Sequence, residues 1–184
     1  MEGAEIKLQD LDAVCLGKGP GSYTGLRIGA ASAKGFCFGL KIPLISIPSM
    51  DSMVEPFINT SYDFIIPLLD ARRMEVYTAV FDGKTGKMIS ETEALVLNEN
   101  SFEKFLDGKV LFIGDGANKA AEILNLKNAE SEFKAQVYPS AQYLISKAVD
   151  KFIKKEFEDI AYFEPFYLKD FHGIKAKKRN KTIN

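Results

Sequence analysis

The sequence predicts an α/β protein of two units, the first of them incomplete. Three observations carry that prediction. Short apolar runs bounded by Gly, Pro, Asn and Asp alternate with helical segments through most of the 184 residues. Between residues 11 and 47 the order is strand, helix, strand, which makes the two strands parallel. From Phe64 onward the order becomes ββ(β)αβαβα, the pattern of a second sheet with helices of its own.

Each element follows from its residues. Residues 11–16 (LDAVCL) form an apolar run between Asp10 and Gly17 and read as a buried strand. A glycine-rich turn leads into a helix over residues 23–38, and 42–47 (IPLISI) is the second buried strand. Residues 48–59 open with a short helix and then loosen. Residues 64–69 (FIIPLL) and 75–81 (EVYTAVF), joined by Asp70-Ala71-Arg72-Arg73, read as an antiparallel hairpin. A further strand is expected at 94–97 and a short helix at 100–106. Residues 110–113 (VLFI) lead through Gly114-Asp115-Gly116 into a helix over 118–124. Val137-Tyr138 reads as a short strand, and a long helix over 139–157 starts behind Ser140 as N-cap. The aromatic-rich end, YFEPFYLKDF, is expected to pack back on the body. The expected division is 1–59, 60–170 and a basic, disordered tail over 171–184.

Composition restricts the function classes. Apolar residues make up 46% and charged residues 27%, which fits a soluble globular chain. No apolar run reaches the length of a membrane span and no signal-peptide pattern is present, so the expected location is cytoplasmic, with no membrane partner. Cys15 and Cys37 sit in apolar surroundings without CxxC spacing and read as free thiols rather than metal or redox ligands. The net charge of -1 hides an asymmetry: Lys175, Lys177, Lys178, Arg179 and Lys181 carry five positive charges, which leaves -1 minus 5, or -6, on the rest. An acidic body repels nucleic acid, so the basic tail is the one candidate for RNA phosphates, and a solvated, disordered end is the plainer reading of it.

The stretch GKGPGSYTGLRIGAASAKGFCFG, residues 17–39, resembles a phosphate turn entering a helix. Free N–H groups and the helix dipole favour an anion there. The GxxxxGK[ST] and GxGxxG spacings are both absent, and the first acidic residue after Asp12 is Asp51. The helix itself carries more information. Gly25, Gly29 and Gly35 each cost roughly 0.5–1 kcal/mol relative to alanine. Gly25, Ile28, Gly29, Ser32, Ala33 and Phe36 recur at helical spacing and form a flat stripe that another backbone can approach closely. Leu26, Ala30 and Cys37 form a second stripe able to face the core. One face for the core and one for a partner is the reading adopted; packing of the small stripe on the chain's own sheet is the alternative.

LDAVCLGKGPGSYTGLRIGAASAKGF with IPLISIPSMDSM, LLDARRMEVYTAVF, FIGDGANKAAEIL and FEPFYLKDF together resemble the TsaB/YeaZ family over residues 6–169. That resemblance implies an actin/Hsp70/sugar-kinase (ASKHA, ribonuclease H-like) fold of two related lobes. It implies a non-catalytic scaffold for making threonylcarbamoyladenosine next to the anticodon of tRNAs that read codons starting with A. The catalytic partner would be the TsaD paralogue, with the TsaE ATPase completing the machinery, and the helix after GPGSYTG would form the contact. Family members begin with a β-hairpin carrying a DTS-like motif, a third strand and a helix. Only the end of that helix is expected here, at residues 6–8, so the first lobe reads as truncated.

Two other classes stay open. An independent ATP-binding enzyme of the sugar-kinase type would bind ATP at the Gly114, Asp115, Gly116 turn, and Arg72 or Arg73 of the hairpin could attract an anion; the set is a candidate vestigial nucleotide contact, with plain tight turns and solvated arginines as the blander and preferred reading. A homodimeric module would use the helix stripe on itself. No catalytic residue, metal site or cofactor is assigned. The single histidine, His172, rules out an HxxxH pair, and Ser22 and Ser32 have no histidine in a triad-like pattern.

Overall fold

The computed structural model describes residues 6–124, 126 and 130–169; the basic tail and His172 lie outside them. The first sheet has two parallel strands, β1 (Val14–Gly17) and β2 (Leu44–Ile47), in the register Val14↔Leu44 to Gly17↔Ile47. Helix α1 (Tyr23–Leu40) connects them. The period of two along a strand sends alternate side chains to opposite faces. Val14, Leu16 and Leu44 therefore meet α1 through Ala30, Ala33 and Cys37, while Cys15, Ile45 and Ile47 face the other way. Ser22 caps α1 by accepting from the Gly25 N–H, and Lys41, at φ 57, ends it by donating its N–H to the Cys37 carbonyl.

Helix α2 (Ser49–Val54) follows β2 at once and is buried at Ser49, Met50, Ser52, Met53 and Val54. It lies on the second sheet. That sheet comprises β3 (Phe64–Asp70), β4 (Glu75–Thr78), β5 (Phe81–Asp82), β6 (Glu93–Val96), β7 (Val110–Ile113) and β8 (Glu132–Lys134). Its order is β6-β4-β3-β7-β8, with β5 also paired to β3. The β3–β7 and β7–β8 pairs are parallel and the rest antiparallel. Helix α3 (Ala117–Ile123) connects β7 to β8. One face buries Ile66, Leu68, Val76, Val110 and Phe112 under α3, and the other buries Ile65, Leu69, Leu111 and Ile113 under α2. Strands covered on both faces read as unbroken apolar runs, which is why FIIPLL and VLFI show no alternation.

Three expectations change. The last strand is Glu132–Lys134 instead of Val137-Tyr138, because Phe133 stacks on Phe112 with ring centroids 4.8 Å apart and planes at 9°. The strand expected over 75–81 divides at Ala79, where the Val80 N–H turns aside to the Ser90 hydroxyl, 2.9 Å away. The long helix is a 3-10 turn, Ala141–Leu144, followed by α4 (Ile145–Lys154), which stops at Lys155 with φ 57. The Ser140 side chain caps nothing; its backbone N–H is instead held by the Ser52 hydroxyl at 3.3 Å.

The chain after Ser140 returns to the first sheet, although the sequence groups it with the second unit. Leu144 and Ala148 cover the Ile45 and Ile47 face. Glu158 forms an antiparallel bridge with Leu44 on the outer edge of β2, donating its N–H to the Leu44 carbonyl at 2.8 Å, and it accepts from the Ser46 hydroxyl. Phe163 is buried beside α1, and the Phe166 N–H donates to the Lys18 carbonyl at 2.7 Å. This return places Cys15 beneath the 3-10 turn and α4. Burial pushes its thiol up to about 11, and the nearby Lys151 ammonium opposes the rise. Site-resolved alkylation near pH 8 should therefore label Cys15 roughly a hundredfold more slowly in the native protein than in urea, because the thiolate fraction falls with the raised pKa. Equal rates would show that Cys15 is open to solvent.

Candidate functional site

The glycine-rich turn is occupied by the chain itself. Gly19 donates its N–H to the Ser49 hydroxyl at 3.1 Å and accepts from the Ser49 N–H at 2.9 Å. Its φ is +108, and a Cβ there would lie 2.7 Å from the Phe166 carbonyl oxygen. The Gly25 N–H is engaged by the Ser22 hydroxyl at 3.4 Å. The resemblance to a phosphate turn thus has an internal cause: the start of α2 and the returning C-terminal segment close on this loop. Tyr23 meets Tyr167 with ring centroids 5.0 Å apart, and the Arg27 guanidinium lies over the Tyr23 ring at 5.5 Å.

Beyond that turn, α1 has two unlike sides. Ala30, Ala33 and Cys37 are buried. Of the six stripe residues, Gly25, Ile28, Gly29, Ser32 and Phe36 are exposed, Ile28 at 63% and Phe36 at 46%. Ala33 departs from the expectation: at 5% exposure it belongs to the core stripe with Ala30 and Cys37, where i, i+3, i+7 spacing places it. A Cβ added at Gly29, Gly35 or Gly39 would meet nothing within 4 Å. Among the described residues these helical glycines have no neighbour that requires them. Two apolar features escaped the sequence reading. Phe38 is 82% exposed on the far side of α1. On α4, Ile145, Val149, Phe152 and Ile153 are exposed together; their i, i+4, i+7, i+8 spacing was visible in the sequence but is the spacing a core stripe also has.

The hairpin and the Gly114 turn come together. Arg72 and Arg73 both hold left-handed backbone, φ 72 and 54, in a tight turn where non-glycine residues cost about 1 kcal/mol or more each. The surrounding bonds offset that cost. The Asp70 carboxylate accepts from the Arg72 N–H and from Lys119 Nζ of α3, both at 2.6 Å, and Lys119 also donates to the Arg73 carbonyl at 2.6 Å. The Asp70 N–H donates to the Asp115 carboxylate at 2.8 Å. Gly114 and Gly116 are buried against β3: a Cβ on Gly114, whose φ is +111, would lie 2.3 Å from the Leu68 carbonyl oxygen, and one on Gly116 would lie 3.0 Å from it. That approach accounts for both glycines without a ligand. Both arginines are exposed. Among the described residues, no group of three or more His, Cys, Asp and Glu side chains is placed to hold a metal ion, and no helix is long and apolar enough to cross a membrane.

Burial alone would raise the Asp70 carboxyl, but the hydrogen bond from Lys119, the Arg72 N–H and the charges of both residues outweigh it and hold the group below the usual carboxylate range. A depressed carboxylate stabilises the fold above its unfolded pKa, and that contribution is lost as pH falls through the folded value. Asp70→Asn should cost about 1 kcal/mol at neutral pH, a figure kept small because the pair is part-exposed and solvent-screened. Chemical denaturation of both proteins across pH should show the difference shrinking below the usual carboxylate range; a difference constant with pH would remove the ionic contribution.

Comparison with known proteins adds to this geometry. A family model described as TsaD, tRNA N6-adenosine threonylcarbamoyltransferase, matches residues 1–173. The Bacillus subtilis tRNA threonylcarbamoyladenosine biosynthesis protein TsaB is 34% identical over 118 residues, a stretch covering 62% of this chain and 51% of that protein. The chain thus spans about half the length of that relative. The Escherichia coli protein of the same name is 26% identical over 168 residues, covering 89% of this chain and 73% of its own length. A Pseudomonas aeruginosa crystal structure, described as an uncharacterized protein with similarity to peptidase YeaZ, superposes with a TM-score of 0.78 at 22% identity, over 91% of this chain and 78% of that one. A second structure, YeaZ from the same organism, gives a TM-score of 0.71. The fold is of the actin/Hsp70/sugar-kinase type.

Proposed function

The chain belongs to the TsaB/YeaZ family, and from that premise we propose that it acts as a non-catalytic scaffold and activator subunit in forming threonylcarbamoyladenosine on tRNA. Its partner in this reading is a TsaD-type paralogue, with a TsaE-type ATPase joining the assembly and tRNA reached through the partner or the basic tail. The names of the curated relatives support the pathway. The observation that carries the scaffold role is the outer face of α1. Gly29, Gly35 and Gly39 together forfeit about 2–3 kcal/mol of helix propensity relative to alanine, and no atom of the described residues lies near enough to require them. A second backbone pressed against this face would require them. Ile28 and Phe36 beside them supply apolar area for such a contact.

A non-catalytic role also fits the side chains available. The chain has one histidine, His172, which lies outside the described residues, so Ser-His chemistry of the peptidase kind has a single candidate base. The loops that hold nucleotide phosphates in kinase-like folds need backbone open to the ligand; here the Arg72-Arg73 turn and the Gly114 turn are tied to each other through Asp70, Asp115 and Lys119.

Gly29→Leu tests the proposal. Because the position is open in the isolated chain, the variant should melt at the same temperature as the parent or higher, by up to about 1 kcal/mol of helix propensity. Pull-down of the TsaD-type paralogue should weaken sharply, since the added side chain holds the two backbones apart. A lower melting temperature with unchanged capture would show that this face packs within the chain.

A further inference from the structure

We draw no further inference here: the strongest candidate, the exposed apolar face of α4 formed by Ile145, Val149, Phe152 and Ile153, is left unpartnered by the described residues, and nothing in the structure shows what covers it.

Discussion

A parallel sheet needs cover on both faces, and this requirement shapes the first unit. Two strands cannot meet it themselves. Helix α1 covers the Leu44 face, and the chain must supply a second layer for Ile45 and Ile47 from somewhere else. It does so by sending residues 141–169 back from the second unit. The same return closes the outer edge of β2 through Glu158 and seals the glycine-rich turn through Phe166. One consequence is that the anion-binding character of that turn is spent on Ser49 and the C-terminal segment. Another is that the chain's own cover leaves the Gly29 side of α1 open. The surface available to a partner is what remains after the sheet has been covered.

The second unit depends on a different close approach. The Leu68 carbonyl of β3 accepts from the Gly116 N–H at 2.9 Å, and no Cβ fits at Gly114 in that arrangement. Drawing the β7–α3 turn down on β3 brings Asp115 to the Asp70 N–H and Lys119 to the hairpin tip. Two arginines can then hold left-handed backbone in a turn that would otherwise favour Asn-Gly. A loop shaped like a nucleotide hairpin is thereby converted into a braced structural corner.

Much of this was legible in the sequence. The strand, helix, strand unit, the two fully apolar central strands, the hairpin and the helical pattern after Gly116 all appear from periodicity and turn residues. So do the two stripes of α1, because five of the six small or apolar positions fall on the exposed side. Ala33 was ambiguous for a physical reason: an alanine fits a close-approach stripe and a core stripe equally well, and only its spacing to Ala30 and Cys37 separates them. The misses share a cause. The last strand is chosen by a ring stack between Phe133 and Phe112, far apart in sequence, where Val137-Tyr138 has the better local propensity. The long helix is interrupted because Ser52 holds the Ser140 N–H, which no local rule predicts.

Glycine shows how differently one residue type can be constrained. At Gly114 the constraint is internal: the backbone of β3 occupies the space a Cβ would need, and the left-handed φ adds to it. At Gly29 neither condition holds. The backbone is helical, the space is open, and alanine would be the better helix former. A residue that weakens its own helix and relieves no crowding in its own chain is explained by contacts outside it or not at all. Sequence pattern alone does not separate these two kinds of glycine, since each lies in a strand-to-helix segment, Gly114 at the turn and Gly29 inside the helix. Room for a Cβ separates them, and under the proposed scaffold role it is this difference, more than the amount of apolar area on α1, that singles out the Gly29 side of the helix.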